Sequence, residues 1–339
     1  MPESIDRAER RVVVWRVTSA CDLDCGFCGF ARSAGGRRAH ADSEQVLAIG
    51  AALGADAAET GRETLVSWLG GEPLLWPGLL PVSRRFREDF GLHLSMTSNA
   101  GRMGAPGLAE FVAGYFDEVT FSLDSADLDR HDLLRGSPGN GRAVKEGIQT
   151  LVRLRSGRSF PTLRINTILM RQTIDRFADL CETAAAWGVD EISFNPLGGR
   201  DRPAFFPSHQ LEAAAFERFL NELPALRQRM AARGIAIVGD DRYLDRIASA
   251  IAGQARPIAD CRPGERFLFI DIDGRIGPCH FTLDRHSVRA GPDFGRDGAA
   301  AIPAHLARNR AAQPHPACSD CQQTNLWGKF KRAPKGEPG

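Results

Sequence analysis

The chain has 339 residues, of which 43% are hydrophobic and 25% charged, as is typical of a soluble globular protein. Its 43 Lys and Arg residues nearly balance 42 Asp and Glu residues, so charge gives no case for a nucleic-acid or membrane partner. No apolar run approaches the ~20 residues of a membrane helix, and the polar N-terminus lacks the pattern of a signal peptide. We therefore expect a cytoplasmic protein.

Six short runs rich in β-branched and aromatic residues predict strands, and a helical pattern follows most of them. The predicted strands span 12–18, 64–68, 92–97, 118–123, 162–169 and 191–195, and the predicted helices span 42–59, 79–90, 106–115, 140–155 and 173–188. This alternation is typical of parallel strands joined by right-handed crossovers. Polar or glycine-rich clusters follow five of the strands, and no G-x-G-x-x-G follows the first. The pattern favours a partial (β/α)6 TIM barrel over a dinucleotide-binding sheet.

The pattern changes near residue 205. A long helix is predicted over 208–233 and a short strand over 235–238, followed by another helix. Runs at 266–272 and 275–278 flank Asp273-Gly274, a strong hairpin signal. We expect a barrel over 1–205, a helical connection over 206–260, a small α+β domain over 261–330 and a tail over 331–339. The basic stretch from Lys329 onward is interpreted as a frayed end.

Three of the eight cysteines, Cys21, Cys25 and Cys28, lie in the loop after the first predicted strand. In a reducing compartment, clustered cysteines indicate metal binding rather than disulfides. Three thiolates can bind a [4Fe–4S] cube through three of its irons and leave the fourth iron open. The alternatives are a zinc site, for which His40 is the nearby fourth ligand, and a chance group of core cysteines.

The triplet resembles the C-x3-C-x-aromatic-C motif of the radical S-adenosylmethionine (SAM) superfamily, with Phe27 in the aromatic position. Further segments resemble other motifs of that superfamily in the same order: Gly70-Gly71-Glu72-Pro73, Ser98-Asn99, Ser122-Leu123-Asp124, and Arg135 in H-D-x2-R-G. Leu197 completes the predicted cofactor-binding set. The resemblance implies that SAM binds the open iron, that Glu72 contacts its amino group, and that Ser122 and Arg135 lie near its carboxylate or ribose. It also implies reductive cleavage of SAM to a 5′-deoxyadenosyl radical, with flavodoxin or ferredoxin as electron donor.

Four more cysteines, Cys261, Cys279, Cys318 and Cys321, form a second set. Spacing alone leaves zinc and [4Fe–4S] open. The hairpin before Cys279 resembles that of the twitch domain, a shortened SPASM domain, which implies an auxiliary [4Fe–4S] cluster with no open iron. The remaining cysteine, Cys181, is expected to be a core residue.

Within the superfamily, the architecture resembles 2-deoxy-scyllo-inosamine dehydrogenase and, more weakly, cytosylglucuronate decarboxylase. These resemblances imply a carbohydrate, aminocyclitol or nucleoside substrate in antibiotic or other natural-product biosynthesis. Alcohol oxidation, decarboxylation and dehydration stay open as outcomes. The alternative is a maturase that modifies a peptide or protein, although such enzymes often carry a full seven-cysteine SPASM domain. Asn195 and residues 200–202, after the sixth strand, are candidate substrate contacts.

Overall fold

In the computed structural model, helices pack along a ten-stranded sheet. The structure describes residues 10–31, 38–155, 161–198, 202–258, 261–291 and 294–331. The strands are β1 Arg11–Thr18, β2 Thr64–Gly70, β3 His93–Ser98, β4 Glu118–Ser122, β5 Thr162–Leu169, β6 Glu191–Pro196, β7 Ala236–Ile237, β8 Phe267–Ile270, β9 Arg275–Gly277 and β10 Val288–Arg289. The helices are α1 Ser43–Thr60, α2 Leu79–Glu88, α3 Leu108–Tyr115, α4 Leu128–Arg135, α5 Asn140–Leu154, α6 Phe177–Trp187, α7 Phe206–His209, α8 Ala213–Ala231, α9 Asp241–Ile251, α10 Leu283–His286 and α11 Arg296–Ala312. Two candidate substrate contacts, Arg200 and Asp201, and residues 332–339 of the expected tail lie outside the described residues.

The strand order confirms the predicted partial barrel. Strands β1 to β7 lie side by side in chain order, and every neighbouring pair is parallel. On the other side of β1, β8 adds a further parallel strand, and the predicted hairpin pairs β8 with β9 antiparallel. The sheet therefore runs across the predicted boundary at residue 261, and the division into domains stays a prediction.

The main core lies between the sheet and the helices. Alternate residues of β1, namely Val13, Trp15 and Val17, face it and are at most 1% exposed. The rings of Trp15 and Trp68 lie 5.7 Å apart, and Phe86 of α2 closes on Trp68 at 5.0 Å. Burying a large side chain of this kind stabilises the fold by roughly 1.5–3 kcal/mol, so truncation of Trp68 would break the contact between β2 and α2.

The opposite face of the strands encloses an interior that we call the lumen. At its amino-terminal end, the Arg164 guanidinium contacts Glu118 on β4 at 3.1 Å and Glu191 on β6 at 2.6 Å. It also donates to Thr120 at 3.2 Å. This buried network ties three strands together, and the carboxyl-terminal ends of the strands are left to carry the candidate site.

Two sequence-based expectations after residue 205 are corrected. The helix predicted to begin at 208 begins at Ala213, because Glu212 adopts an extended conformation (φ −96°, ψ 144°) and separates it from α7. The stretch interpreted as a frayed end begins with buried residues: Lys329 is 7% exposed, and Phe330 packs beside it. Charge composition could not show that this stretch folds back onto the barrel.

The C-terminal segment, residues 328–331, is held against the chain that follows β7. Gly239 N–H donates to Lys331 O at 2.7 Å, and Asp240 N–H donates to Gly328 O at 3.2 Å. Gly328 has φ 90°, and a Cβ there would lie 2.2 Å from the Asp240 carboxylate. Only glycine fits this close approach.

Within the part of the chain described, no helix is long and apolar enough to cross a membrane.

Candidate active site

The three-cysteine loop follows β1 and packs on the turn after β2. Gly71 N–H donates to Thr18 O and Glu72 N–H donates to Ala20 O, both at 2.8 Å. A Cβ on Gly71 would lie 2.2 Å from Ala20 O and 3.1 Å from the Cys21 Cβ. The glycine is therefore required for the turn to approach the cysteine loop, and it sets Glu72 beside Cys21.

Glu72 is 1% exposed and is held from three directions. Its Oε1 accepts from Ser98 Oγ at 2.8 Å and from Leu74 N at 3.1 Å, and its Oε2 accepts from Asn99 N at 2.7 Å. Burial raises the pKa of Glu72 to about 7, against these hydrogen bonds, which lower it. A carboxylate offers about four lone-pair positions, so these bonds leave capacity for one more donor such as an ammonium.

The next two predicted residues form a buried ion pair. Arg135, at the end of α4, donates through Nε to Asp124 Oδ2 at 2.7 Å, and Asp124 Oδ1 accepts from Ile168 N at 2.8 Å. Asp124 follows Ser122 at the end of β4, so the pair links β4, α4 and β5. The Arg135 carbonyl accepts from Asp24 N at 3.1 Å, which ties α4 to the cysteine loop.

An apolar patch borders this pair. Phe27 packs with Leu134, Met170 and Leu197, and its ring centroid lies 5.3 Å from the Arg135 guanidinium carbon. Two of the predicted residues, Phe27 and Leu197, thus share one small cluster. A flat, weakly polar group such as an adenine base would suit its surface.

The three thiols share the loop after β1, next to Glu72 and Arg135. Burial raises the pKa of Cys21 to about 12 and that of Cys25 to about 11, and the Arg135 guanidinium opposes the shift at Cys25. Iron binds the thiolate, so loading the cluster releases these protons. Cys28 Sγ accepts from Phe30 N at 3.4 Å. The donor set fits the superfamily's [4Fe–4S] cluster, whose negative thiolates would sit beside Arg135.

The second cysteine set meets at one cavity. Its lining includes Cys261, Cys279, Cys318 and Cys321, although the two pairs are far apart in sequence. The last pair is held by α9, because Arg246 Nε donates to Cys321 O at 2.8 Å. Burial raises the pKa of three of these thiols, to about 11 at Cys261. Four thiols that line one cavity suit an all-cysteine metal centre.

Among the described residues, no group of three or more His, Cys, Asp or Glu side chains lies close enough to hold a single metal ion. A cubane places its thiolates on separate iron corners and so spaces them more widely than one ion does. His40, the fourth ligand of the zinc alternative, has its Nδ1 2.9 Å from Thr18 Oγ1. Cys181 is fully buried in α6, as expected.

The sequence did not single out most of the residues that line the lumen. Ser67, Thr97, Ser122, Asn166 and Asn195 lie on successive parallel strands, and each is partly exposed where most of its strand is buried. The period of two along each strand could have identified them. They form what we call the polar ring, and of its members only Ser122 and Asn195 were predicted site residues.

Lys329 reaches the polar ring from the C-terminal segment. Its Nζ donates to Asn166 Oδ1 at 2.9 Å, and Ser193 Oγ donates to the same oxygen at 3.0 Å. Burial, together with the nearby Arg164, lowers the pKa of Lys329 to about 7. No local pattern in the sequence marks this lysine.

A barrel with three cysteines after its first strand and a buried glutamate beside them defines a cluster-dependent enzyme. The family model described as the radical SAM superfamily matches residues 15–194 of the 339, and the chain belongs to this superfamily. It is an enzyme, and its cofactors include SAM and a [4Fe–4S] cluster.

Individual relatives are distant. The AdoMet-dependent heme synthase of Methanosarcina barkeri (strain Fusaro / DSM 804) is 23% identical over 290 residues, which cover 80% of this chain and 77% of that protein. Mycofactocin maturase MftC of Mycolicibacterium smegmatis (strain ATCC 700084 / mc(2)155) is 22% identical over 289 residues, which cover 84% and 69%. The structure of Streptococcus suis SuiB bound to S-adenosylmethionine shares the fold with a TM-score of 0.65 at 18% identity, covering 94% of this chain and 72% of SuiB.

Proposed function

We propose that this enzyme removes a hydrogen atom from a small, polar, carbohydrate-like or nucleoside substrate held in the lumen. Together, SAM and the reduced cluster supply the 5′-deoxyadenosyl radical that performs this step. The observation that carries the proposal is the polar ring. Hydroxyl and amide side chains on five neighbouring strands suit a substrate with many hydroxyl groups, because each can donate or accept.

The motif residues have separate roles in this proposal. Glu72 accepts from the SAM ammonium, while Arg135, held in place by Asp124, pairs with the SAM carboxylate. Gly70 and Gly71 let the turn approach the cysteine loop, and Ser98, Asn99 and Ser122 complete the polar surroundings. Phe27 and Leu197 supply the apolar patch for the adenine.

The C-terminal segment supports a small substrate. It packs along the chain after β7, at the open side of the partial barrel, and inserts Lys329 beside Asn166. Because the C-terminal segment fills this open side, it restricts access to the carboxyl-terminal ends of the strands. A closed interior also protects a radical from water and side reactions.

The four-cysteine cavity supports an auxiliary [4Fe–4S] cluster. With all four irons ligated by protein, such a cluster would have no position for substrate and would relay an electron. A substrate radical that loses one electron becomes an oxidised product, so the cavity is consistent with alcohol oxidation. Decarboxylation, as of cytosylglucuronate, and dehydration share the same first step. The relatives reported above are a heme synthase and a maturase, so the finer resemblances to the inosamine dehydrogenase and the decarboxylase stay proposals. A flavodoxin or ferredoxin would reduce the first cluster.

A peptide-modifying maturase is the second candidate. It is favoured by the similarity to a protein named mycofactocin maturase and to SuiB, which has also been crystallised with its precursor peptide SuiA. The similarity to SuiB is under 25% identity and shows the fold alone.

Substrate-dependent formation of 5′-deoxyadenosine separates the two candidates. The reconstituted enzyme would be incubated with SAM, a reductant, and panels of sugars, aminocyclitols, nucleosides and short peptides. Cys25→Ala/Cys28→Ala serves as the control without radical chemistry. We expect a sugar or nucleoside to raise 5′-deoxyadenosine above the uncoupled rate. The same compound carrying deuterium at the reacting carbon should transfer that deuterium to 5′-deoxyadenosine. Stimulation by peptides alone would overturn the proposal in favour of the maturase.

A further inference from the structure

Lys329 presents its buried amino group to the lumen. It is 7% exposed, its Nζ donates to the neutral oxygen of Asn166 at 2.9 Å, and it lies 4.8 Å from the Phe330 ring centroid. Among the described residues, no carboxylate lies within ion-pair distance of it. An ammonium has three donors, and this geometry uses one of them.

Three arginines along the lumen are paired with carboxylates. Arg135 pairs with Asp124 at 2.7 Å, and Arg16 pairs with Asp271 at 2.5 Å. Arg164 contacts both Glu118 and Glu191. Buried cations in proteins are normally paired, because a counter-charge must offset the cost of leaving water.

Lys329 also lies at the level where a substrate would be held. Asn166 pairs in register with Ser122 of β4 and Ser193 of β6, so the lysine joins the polar ring. Two residues further along the same strand, Ile168 N supports the Asp124 carboxylate of the proposed SAM site. The lysine therefore contacts the polar ring on the same strand that supports the proposed SAM site, and it is not itself one of the residues assigned to SAM.

We infer that Lys329 binds an anionic oxygen group of the substrate, and that the substrate is an acidic carbohydrate or nucleoside carrying a carboxylate. The inference rests on the proposed function and narrows its substrate class. A carboxylate suits a single ammonium flanked by neutral Asn and Ser side chains. A phosphate dianion more often draws on several cations or a set of backbone N–H groups.

Matched pairs of probes test this assignment by calorimetry on the cluster-loaded, SAM-bound enzyme. Each pair differs by one acidic group: methyl β-D-glucuronide against methyl β-D-glucoside, uridine 5′-carboxylate against uridine, and ribose 5-phosphate against ribose. The variants are Lys329→Met, Lys329→Gln, which keeps a donor for Asn166, and Lys329→Arg, which keeps the charge. Lys331→Met, two residues further on and exposed, is the matched control.

We expect at least one carboxylate probe to bind more tightly than its neutral partner. Lys329→Met and Lys329→Gln should lose about 10- to 100-fold of affinity for that acid only, as expected for a hydrogen bond to a charged group. Lys329→Arg and Lys331→Met should retain most of the preference. Neutral probes should bind all folded variants alike, which separates recognition from a structural role.

Three results would overturn the inference. These are no carboxylate probe binding better than its neutral partner, equal losses for both members of a pair, or a preference for the phosphate probe alone. If Lys329→Met and Lys329→Gln do not fold, acylation of Lys329 in the wild-type enzyme, read by mass spectrometry, replaces them. The carboxylate probe must then slow acylation at Lys329 and leave Lys331 unaffected. Failure of the proposed function is distinct, since no sugar or nucleoside would then raise 5′-deoxyadenosine formation.

Discussion

Replacing Glu72 with glutamine tests the geometry proposed for SAM. Glutamine can keep the bonds from Ser98 Oγ and Leu74 N by placing its oxygen at Oε1, but its amide group then faces Asn99 N–H. Losing one bond to a buried N–H costs about 1–3 kcal/mol. Removing a carboxylate whose pKa burial has raised to about 7 offsets part of that cost. We expect the free energy of unfolding without SAM to change by at most about 1–2 kcal/mol.

The effect on SAM should be larger than the effect on stability. Glutamine cannot form the charge-assisted bond to the SAM ammonium, which is worth about 1.5–3 kcal/mol, or roughly 10- to 100-fold in affinity. Calorimetric titration of SAM into the reconstituted enzyme measures this loss, and iron content should not change because the cysteines are untouched. Ser98→Ala is the control, since it removes one hydrogen bond to Glu72 but no charge, and should cost less than about tenfold. Wild-type SAM affinity in Glu72→Gln, or equal losses in both variants, would refute the role of the carboxylate.

Three further predictions concern the lumen and the cysteines. Arg164→Met leaves Glu118 and Glu191 buried without their shared cation and should lower the free energy of unfolding by about 3–5 kcal/mol in a urea titration. Adding Glu191→Gln should recover part of this loss. An unchanged midpoint of urea unfolding in Arg164→Met would contradict the network. Because Lys329 has a pKa lowered to about 7 by burial and by Arg164, it loses its charge as pH rises, so affinity for a carboxylate probe should fall above pH 7 by up to about tenfold per unit. That fall should be absent in Lys329→Arg, and the same slope in both proteins would show that another group titrates. Cys181→Ala should leave iron and sulfide per chain unchanged, and a loss of iron would give this buried thiol a role in cluster binding.

Local patterns predicted the barrel well because each strand buries one face. In β5, Leu163 and Ile165 face the core and alternate with Arg164 and Asn166, and this period of two is visible in the sequence, whereas β1 was marked by its β-branched run. The start of α8 was misplaced because residues around Glu212 do not break a helix by composition, and the extended backbone there depends on packing.

The candidate site was only partly visible in the sequence. The partners of Glu72 could be anticipated from motif resemblance, since Ser98 and Asn99 follow the next strand. The sequence could not predict that four distant cysteines meet at one cavity or that Lys329 is buried. Both features depend on how the chain after residue 238 folds back on the barrel. A lysine at the start of a basic stretch has the same local signal whether it is exposed or inserted.

Iron and sulfide per chain after anaerobic reconstitution test the central claim most directly, namely that each cysteine set binds its own cluster. The wild type should hold about eight irons, and both Cys25→Ala/Cys28→Ala and Cys279→Ala/Cys321→Ala should hold about four. Only the second variant should retain the SAM-dependent change in the electron paramagnetic resonance spectrum of the reduced cluster. About four irons in the wild type, falling to near zero in the first variant while zinc is retained, would contradict the account and make the four-cysteine cavity a zinc site.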